Sequence, residues 1–156
     1  MAGIASEKGL VTLTTRGRTD GLARLLDLLD KRQVGGKQLY FERESSEDGF
    51  ATVVLSLENT HPFAEVRQEL SQTFGKELVL RESVGAISAI GAGINASFAN
   101  VRRFVQTLAA MGVPLLGLSS SSFRISALVE ERRVEDAVRR LHAELVAPAE
   151  PTAPGV

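Results

Sequence analysis

The chain has 156 residues, 44% hydrophobic and 24% charged, which is enough to bury one compact core or two small ones and excludes disorder of the whole. Eighteen Lys plus Arg nearly balance nineteen Asp plus Glu, so no overall field draws the chain onto nucleic acid or an anionic membrane, and a small neutral or zwitterionic partner fits better. The absence of cysteine excludes disulfides, thiolate zinc sites and iron–sulfur clusters and fits a reducing cytoplasm; no window approaches the roughly 20 apolar residues of a membrane span, and no signal peptide is visible.

Residues 1–8 read as a short polar lead. Gly9 to Thr14 is β-branched and alternating, a strand, and Thr15-Arg-Gly-Arg-Thr-Asp20 reads as the loop that ends it. Leu22, Leu25, Leu26 and Leu29 recur on one helical face, with Thr19 or Asp20 as the cap and Gly35-Gly36 as the stop. Lys37 to Arg43 and Phe50 to Leu57 form a hairpin around Glu44-Ser-Ser-Glu-Asp-Gly49. His61-Pro62 opens a second helix with Phe63, Val66, Leu70 and Phe74 on its buried side, and Glu77 to Leu80 is a short closing strand.

The order then repeats. Ala86 to Gly93 is a strand running into a loop, Ser97 caps a helix striped by Val101, Phe104, Val105 and Leu108, and Met111-Gly112 ends it. Val113 to Leu118 and Phe123 to Val129 are strands around the run Ser119 to Ser122, and Val134, Ala137, Val138, Leu141 and Leu145 line a final helix. The tail from Ala147, with three prolines, reads as disordered. The fold class is therefore α+β: two ferredoxin-like βαββαβ repeats, 9–83 and 84–146, each an antiparallel sheet with helices on one face. The second repeat has no evident closing strand and would borrow one, such as Glu77 to Glu82, by interleaving; the open sheet faces invite packing on a neighbouring repeat or a second chain.

Two loops have the chemistry of an amino-acid site, which needs donors for a carboxylate and acceptors for an ammonium ion. In the first, Thr15, Arg16, Gly17, Arg18 and Asp20 precede the first helix: the arginines and helix amides suit a carboxylate, and Asp20 an ammonium ion. A solvated turn with an ordinary N-cap explains the same residues. In the second, Gly91, Gly93, Ile94 and Asn95 precede the third helix, glycine permitting close backbone approach and Asn95 offering donor and acceptor; a flexible strand-to-helix turn is the alternative. Ser119 and Ser120 add hydroxyls beside it, although a serine-rich turn accounts for them without a ligand and no His–carboxylate pair marks a nucleophile. Gly91-Ala-Gly93 lacks the third glycine of a dinucleotide fingerprint, and His61 and His142, far apart and without cysteine, read as surface or capping residues rather than metal ligands. No catalytic residue, metal or cofactor is expected. Aromatics at 5% give no platform for stacked bases.

Val84-Gly-Ala-Ile-Ser-Ala-Ile-Gly-Ala-Gly93, Leu118-Ser-Ser-Ser-Ser-Phe-Arg-Ile-Ser126 and Val134-Glu-Asp-Ala-Val-Arg-Arg-Leu-His142 together resemble, in order and spacing, the C-terminal regulatory half of aspartate kinases, a tandem of ACT repeats. The stretch Ser45-Ser-Glu-Asp-Gly49 is similar to the family's first ACT hairpin. The resemblance implies a cytoplasmic, non-catalytic module that dimerises through its sheets, binds lysine, threonine or a related amino acid at an ACT interface, and restrains a kinase catalytic subunit in amino-acid biosynthesis. The kinase's Lys-Phe-Gly-Gly opening has no counterpart here. A detached regulatory subunit, an independent paralogue and a fragment of a complete aspartate kinase all fit, as does a ligand-free dimerisation or docking module. The family's Pro-Asp-x-Pro-Gly loop is replaced by Arg16-Gly-Arg-Thr-Asp-Gly21, its Ser-His-Pro-Gly by Ala96-Ser-Phe-Ala99, and the glutamate of Ser-Thr-Ser-Glu by Ser122. Two arginines in the first loop favour an anionic group there.

Overall fold

The computed structural model describes residues 3–18, 20–59 and 62–146. In chain order the elements are β1 (Gly3–Arg18), α1 (Asp20–Lys31), β2 (Gly36–Arg43), β3 (Asp48–Ser56), α2 (Phe63–Phe74), β4 (Leu78–Ile90), α3 (Ala99–Ala110), β5 (Gly117–Ser120), β6 (Arg124–Glu130) and α4 (Val134–Leu145). They divide into two compact units, one of Gly9–Val84 and one that joins residues 3–8 to the chain from Gly85 onward.

In the first unit the strands lie in the order β2-β3-β1-β4. β1 and β3 run antiparallel from the pair Leu10–Ser56 to the pair Arg18–Asp48, so alternate residues share a face. Val11 and Leu13 of β1 and Val53 and Leu55 of β3 point to the same side, where they form one core with Leu25, Leu28 and Leu29 of α1 and Val66, Leu70 and Phe74 of α2. Burying these side chains drives the unit together, at about 1.5–3 kcal/mol for each fully buried aliphatic group before entropy is counted. Arg32 braces the two helices from outside through Glu69 (2.5 Å) and Glu65 (3.9 Å). On the opposite sheet face, Thr14 and Thr52 share a 3.1 Å hydroxyl contact.

The second unit uses the same order, with β1 in the closing position: β1-β4-β6-β5. Ile87 and Ala89 of β4 and Ile125, Ala127 and Val129 of β6 pack against Phe104 and Leu108 of α3 and Val134, Ala137, Leu141 and Leu145 of α4, and Ile4 closes the edge of that core. Lys8 Nζ reaches Glu135 Oε1 of α4 at 2.6 Å.

Several expectations change. Residues 3–8, read as a polar lead, are strand, because a closing strand exposes half of its side chains and so tolerates Ser6, Glu7 and Lys8. They supply the closing strand that Glu77 to Glu82 was expected to lend; the part of β4 up to Val84 belongs to the first unit. Glu77 to Leu80 and Ala86 to Gly93 are not separate strands, since Leu78–Ile90 is continuous. Thr15 to Arg18 is the end of β1 rather than a loop, its backbone paired with β3 down to Asp48. Helix α1 stops at Lys31, with Gln33 at φ 55° reversing the chain ahead of Gly35-Gly36. Of the Val113 to Leu118 segment only Gly117 and Leu118 are strand, Val113 serving the core instead; the strand continues through Ser119 and Ser120, which were read as turn, and Phe123 lies in the turn. Thr19, His61 and the proline-bearing tail from Ala147, for which capping, surface and disordered roles were expected, lie outside the described residues.

Candidate functional site

The first loop forms the rim of a cleft of about 80 Å3 in the first unit, lined by Thr15, Arg16, Gly17, Arg18, Asp20, Gly21, Arg24, Phe74 and Glu77. All five residues chosen from this loop by sequence are brought together there. Gly17, at φ 141°, stands opposite Gly49, where an added Cβ would come within 2.7 Å of the Glu42 carbonyl oxygen. Gly17, between Arg16 and Arg18, has open space where a Cβ would stand, whereas Gly49 is needed for the close approach of β2. Asp20 is the first residue of α1, so unpaired amides of the first turn lie beside the cleft.

Three arginines surround this opening, each held differently. Arg16 pairs with Glu44 at 3.2 Å and lies 5.5 Å above the Phe50 ring. Arg24 lies 5.1 Å above the Phe74 ring and donates to the Thr73 carbonyl oxygen at 3.3 Å. Arg18 Nε stands 3.8 Å from Asp20, beyond hydrogen-bond range. Thr15 is only 7% exposed. Arg24, Phe74 and Glu77 were missed by sequence reasoning. Arg24 follows Asp20 by one helical turn, a spacing that could have flagged it; Phe74 and Glu77 arrive only through the packing of α2.

The second loop is organised differently. Asn95 Nδ2 donates to the carbonyl oxygens of Ser121 and, at 3.2 Å, Arg124, and the Gly91 amide donates to the Phe123 carbonyl oxygen at 2.9 Å. Ile94 is buried in the core, and its carbonyl oxygen accepts from Asn100 Nδ2 at 2.9 Å. Gly93, at φ 67°, gives the turn its left-handed residue. Ser119 pairs with Ser126 and Ser120 with Ile125 across the β5–β6 ladder. Loop and serine hairpin are thus brought together, but most of their polar groups serve each other. Asn95 Oδ1 is a buried acceptor without a partner among the described residues.

A larger groove of about 420 Å3 runs along α2 and β4 in the first unit, walled by Leu70, Leu78, Leu80 and Ala64. Its cation, Arg67, is already paired with Glu82 and lies 5.4 Å above the Phe63 ring, so the groove lacks convergent charge for a zwitterion. His142 is exposed on α4, and among the described residues no group of three or more His, Cys, Asp or Glu is placed to hold a metal ion. No described helix is long and apolar enough to cross a membrane.

In comparison with known proteins, residues 87–145 match the family model of the ACT domain. An aspartate kinase of Pseudomonas fluorescens (strain SBW25) is 32% identical over 92 residues, covering 54% of this chain and 22% of that protein. The chain therefore spans about a fifth of that relative's length. The ligand-free regulatory subunit of aspartate kinase from Thermus thermophilus superimposes with a TM-score of 0.75 at 17% identity, over 92% of this chain and 97% of that one. A chain from a structure of aspartokinase alpha and beta subunits gives 0.74 at 22% identity, over 94% and 99%. Aspartate kinase from Synechocystis gives 0.76 at 14% identity, over 98% of this chain but 28% of that one. At these identities the likeness is one of fold, and the fold is that of the regulatory region of aspartate kinases.

Proposed function

We propose that this chain, with an ACT domain at residues 87–145 and the fold of aspartate-kinase regulatory regions, is a non-catalytic regulatory module that senses a small amino acid. The observation that carries the sensing is the cleft at the end of β1, where guanidinium groups, helix amides and the Asp20 carboxylate converge on a space open to backbone approach. Those are the groups a zwitterion requires. Binding shifts population between conformations only by its differential affinity for them, and that shift is what a regulated partner reads. By resemblance the partner is a kinase catalytic subunit of amino-acid biosynthesis in the cytoplasm, and lysine and threonine are the reference effectors. A homodimer through the sheets fits the all-exposed edge strand β2, where Leu39 and Tyr40 are each 50% exposed.

The test is a thermal-shift and calorimetric titration of the chain against the twenty amino acids at millimolar concentrations. A ligand at a hundred times its Kd stabilises by about 2.7 kcal/mol, which is easily read. A flat response across the panel would remove the sensing claim.

A ligand-free dimerisation or docking module is favoured by one observation, the commitment of Asn95 to the β5–β6 hairpin instead of to the second loop's opening. Sedimentation showing a dimer, with capture of a kinase catalytic subunit independent of any amino acid, would establish it. A kinase domain encoded in the same reading frame would make the chain the regulatory part of a complete aspartate kinase.

A further inference from the structure

The geometry points to the free edge of β4 in the first unit as a docking strip for an extended, apolar segment of a partner protein that carries one acidic residue. Strand β4 has thirteen residues and β6 has seven. Two contacts fix how they run together: Ser88 and Ser126 share a 2.5 Å hydroxyl contact, and the Gly91 amide donates to the Phe123 carbonyl oxygen at 2.9 Å. Counted antiparallel from these, β6 ends at Glu130 and reaches no further back along β4 than Val84. β1 occupies the other side of β4, so Leu78 to Ser83 present one row of backbone amides and carbonyls with no described strand beside it. An unpaired edge of that length is a template for an added strand.

The groove of about 420 Å3 between α2 and β4 lies along this edge, and its lining belongs to the first unit alone. Leu78 and Leu80 of the strand and Leu70 of the core give it apolar walls, while Ala64, Ser71 and Gly75 on the side of α2 are small enough to leave room for incoming side chains. Residues of an added strand that stand beside Leu78 and Leu80 share their face and enter the groove, so apolar residues belong there. On the other face stand Val79, which is 61% exposed, and Arg81, which is exposed and in no ion pair among the described residues. An apolar residue beside Val79 and a carboxylate beside Arg81 complete the pattern. Glu82 does not compete for Arg81, because it is committed to Arg67 of α2.

The test is fluorescence anisotropy on the whole chain with a labelled peptide, Ser-Glu-Leu-Val-Leu-Ser, which pairs antiparallel with Arg81 back to Leu78, read together with hydrogen exchange. Saturable binding is expected, with the amides of Leu78 to Ser83 gaining protection. Replacing the peptide's glutamate by lysine should weaken binding about threefold or more, and Arg81→Glu, a change at an exposed side chain, should reverse that preference, which a loss of folding cannot do. Ser71→Trp, on the exposed side of α2, should fill the groove and cost about tenfold in affinity while circular dichroism stays unchanged. No saturable binding up to millimolar peptide would overturn the docking strip, as would protection that appears along Gly36–Arg43 in place of Leu78 to Ser83. Unchanged affinity in Ser71→Trp would overturn the groove as the seat of the side chains, and a preference that Arg81→Glu does not reverse would overturn the acidic residue. Protection of Leu78 to Ser83 that rises with protein concentration in the absence of peptide would overturn the partner assignment in favour of a second copy of the chain.

Discussion

Glu135 in the first turn of α4 accepts a hydrogen bond from Lys8, and this bond, followed by the ammonium charge, holds its carboxyl below the ordinary glutamate value. A carboxyl whose folded pKa is depressed contributes stability that is present above the unfolded value and is lost as pH falls through the folded one. Replacing Lys8 by Met should return Glu135 to the ordinary range, as read by carboxyl-carbon NMR titration, and flatten the acid limb of the stability profile. An unmoved titration would show that the pair is not formed. Because both groups are largely exposed, the global change should be small even though the local one is clear. At the residue scale the two loops were unequally legible. Thr15 to Asp20 could be chosen from charge and position because that chemistry is local. Asn95 was also visible as a donor and acceptor, but its partners Ser121 and Arg124 lie 26 and 29 residues away, and no local pattern announces them.

Strand β4 passes Gly85 at a point where no side chain fits. An added Cβ would lie 2.3 Å from Val134 Cγ2 and 3.2 Å from the Glu7 carbonyl oxygen, and Val134 is itself 1% exposed and unable to withdraw. Gly85→Ala should therefore cost about 1–3 kcal/mol in chemical denaturation, the usual penalty for overfilling a packed site. Adding Val134→Ala should recover part of the loss, giving a coupling in a double-mutant cycle that an effect confined to the unfolded chain would not produce. Gly85 also lies near the feature that hid these strands. β1 carries Gly9 at φ 68° and β4 carries Ser83 at φ 56°, left-handed residues that interrupt the two-residue alternation in each strand. Sequence reading therefore began one strand at Gly9 and split the other around Glu82. The helices suffered no such break: the apolar positions of α2, α3 and α4 were legible because a 3.6-residue period depends on neighbours a single turn away.

Across the whole chain, the two cores make a testable division of labour. Leu70 and Phe104 are both fully buried, the first in the core of Gly9–Val84 and the second in the core assembled from α3, α4, β4 and β6. Truncating either to alanine removes packing that its surroundings cannot refill, at about 2–5 kcal/mol for Leu70 and about 3–5 kcal/mol for Phe104. The informative readout is native-state hydrogen exchange along β1, because that strand gives residues 3–8 to one unit and its remainder to the other. Phe104→Ala should release amides within residues 3–8 together with those of β6, since Ile4 and the Lys8–Glu135 pair tie the start of the chain to that core. Leu70→Ala should instead release the amides from Leu10 to Arg18 that pair with β3. Release of residues 3–8 by Leu70→Ala alone would mean that the first strand segment follows its sequence neighbours, and the second unit would then need another closing strand.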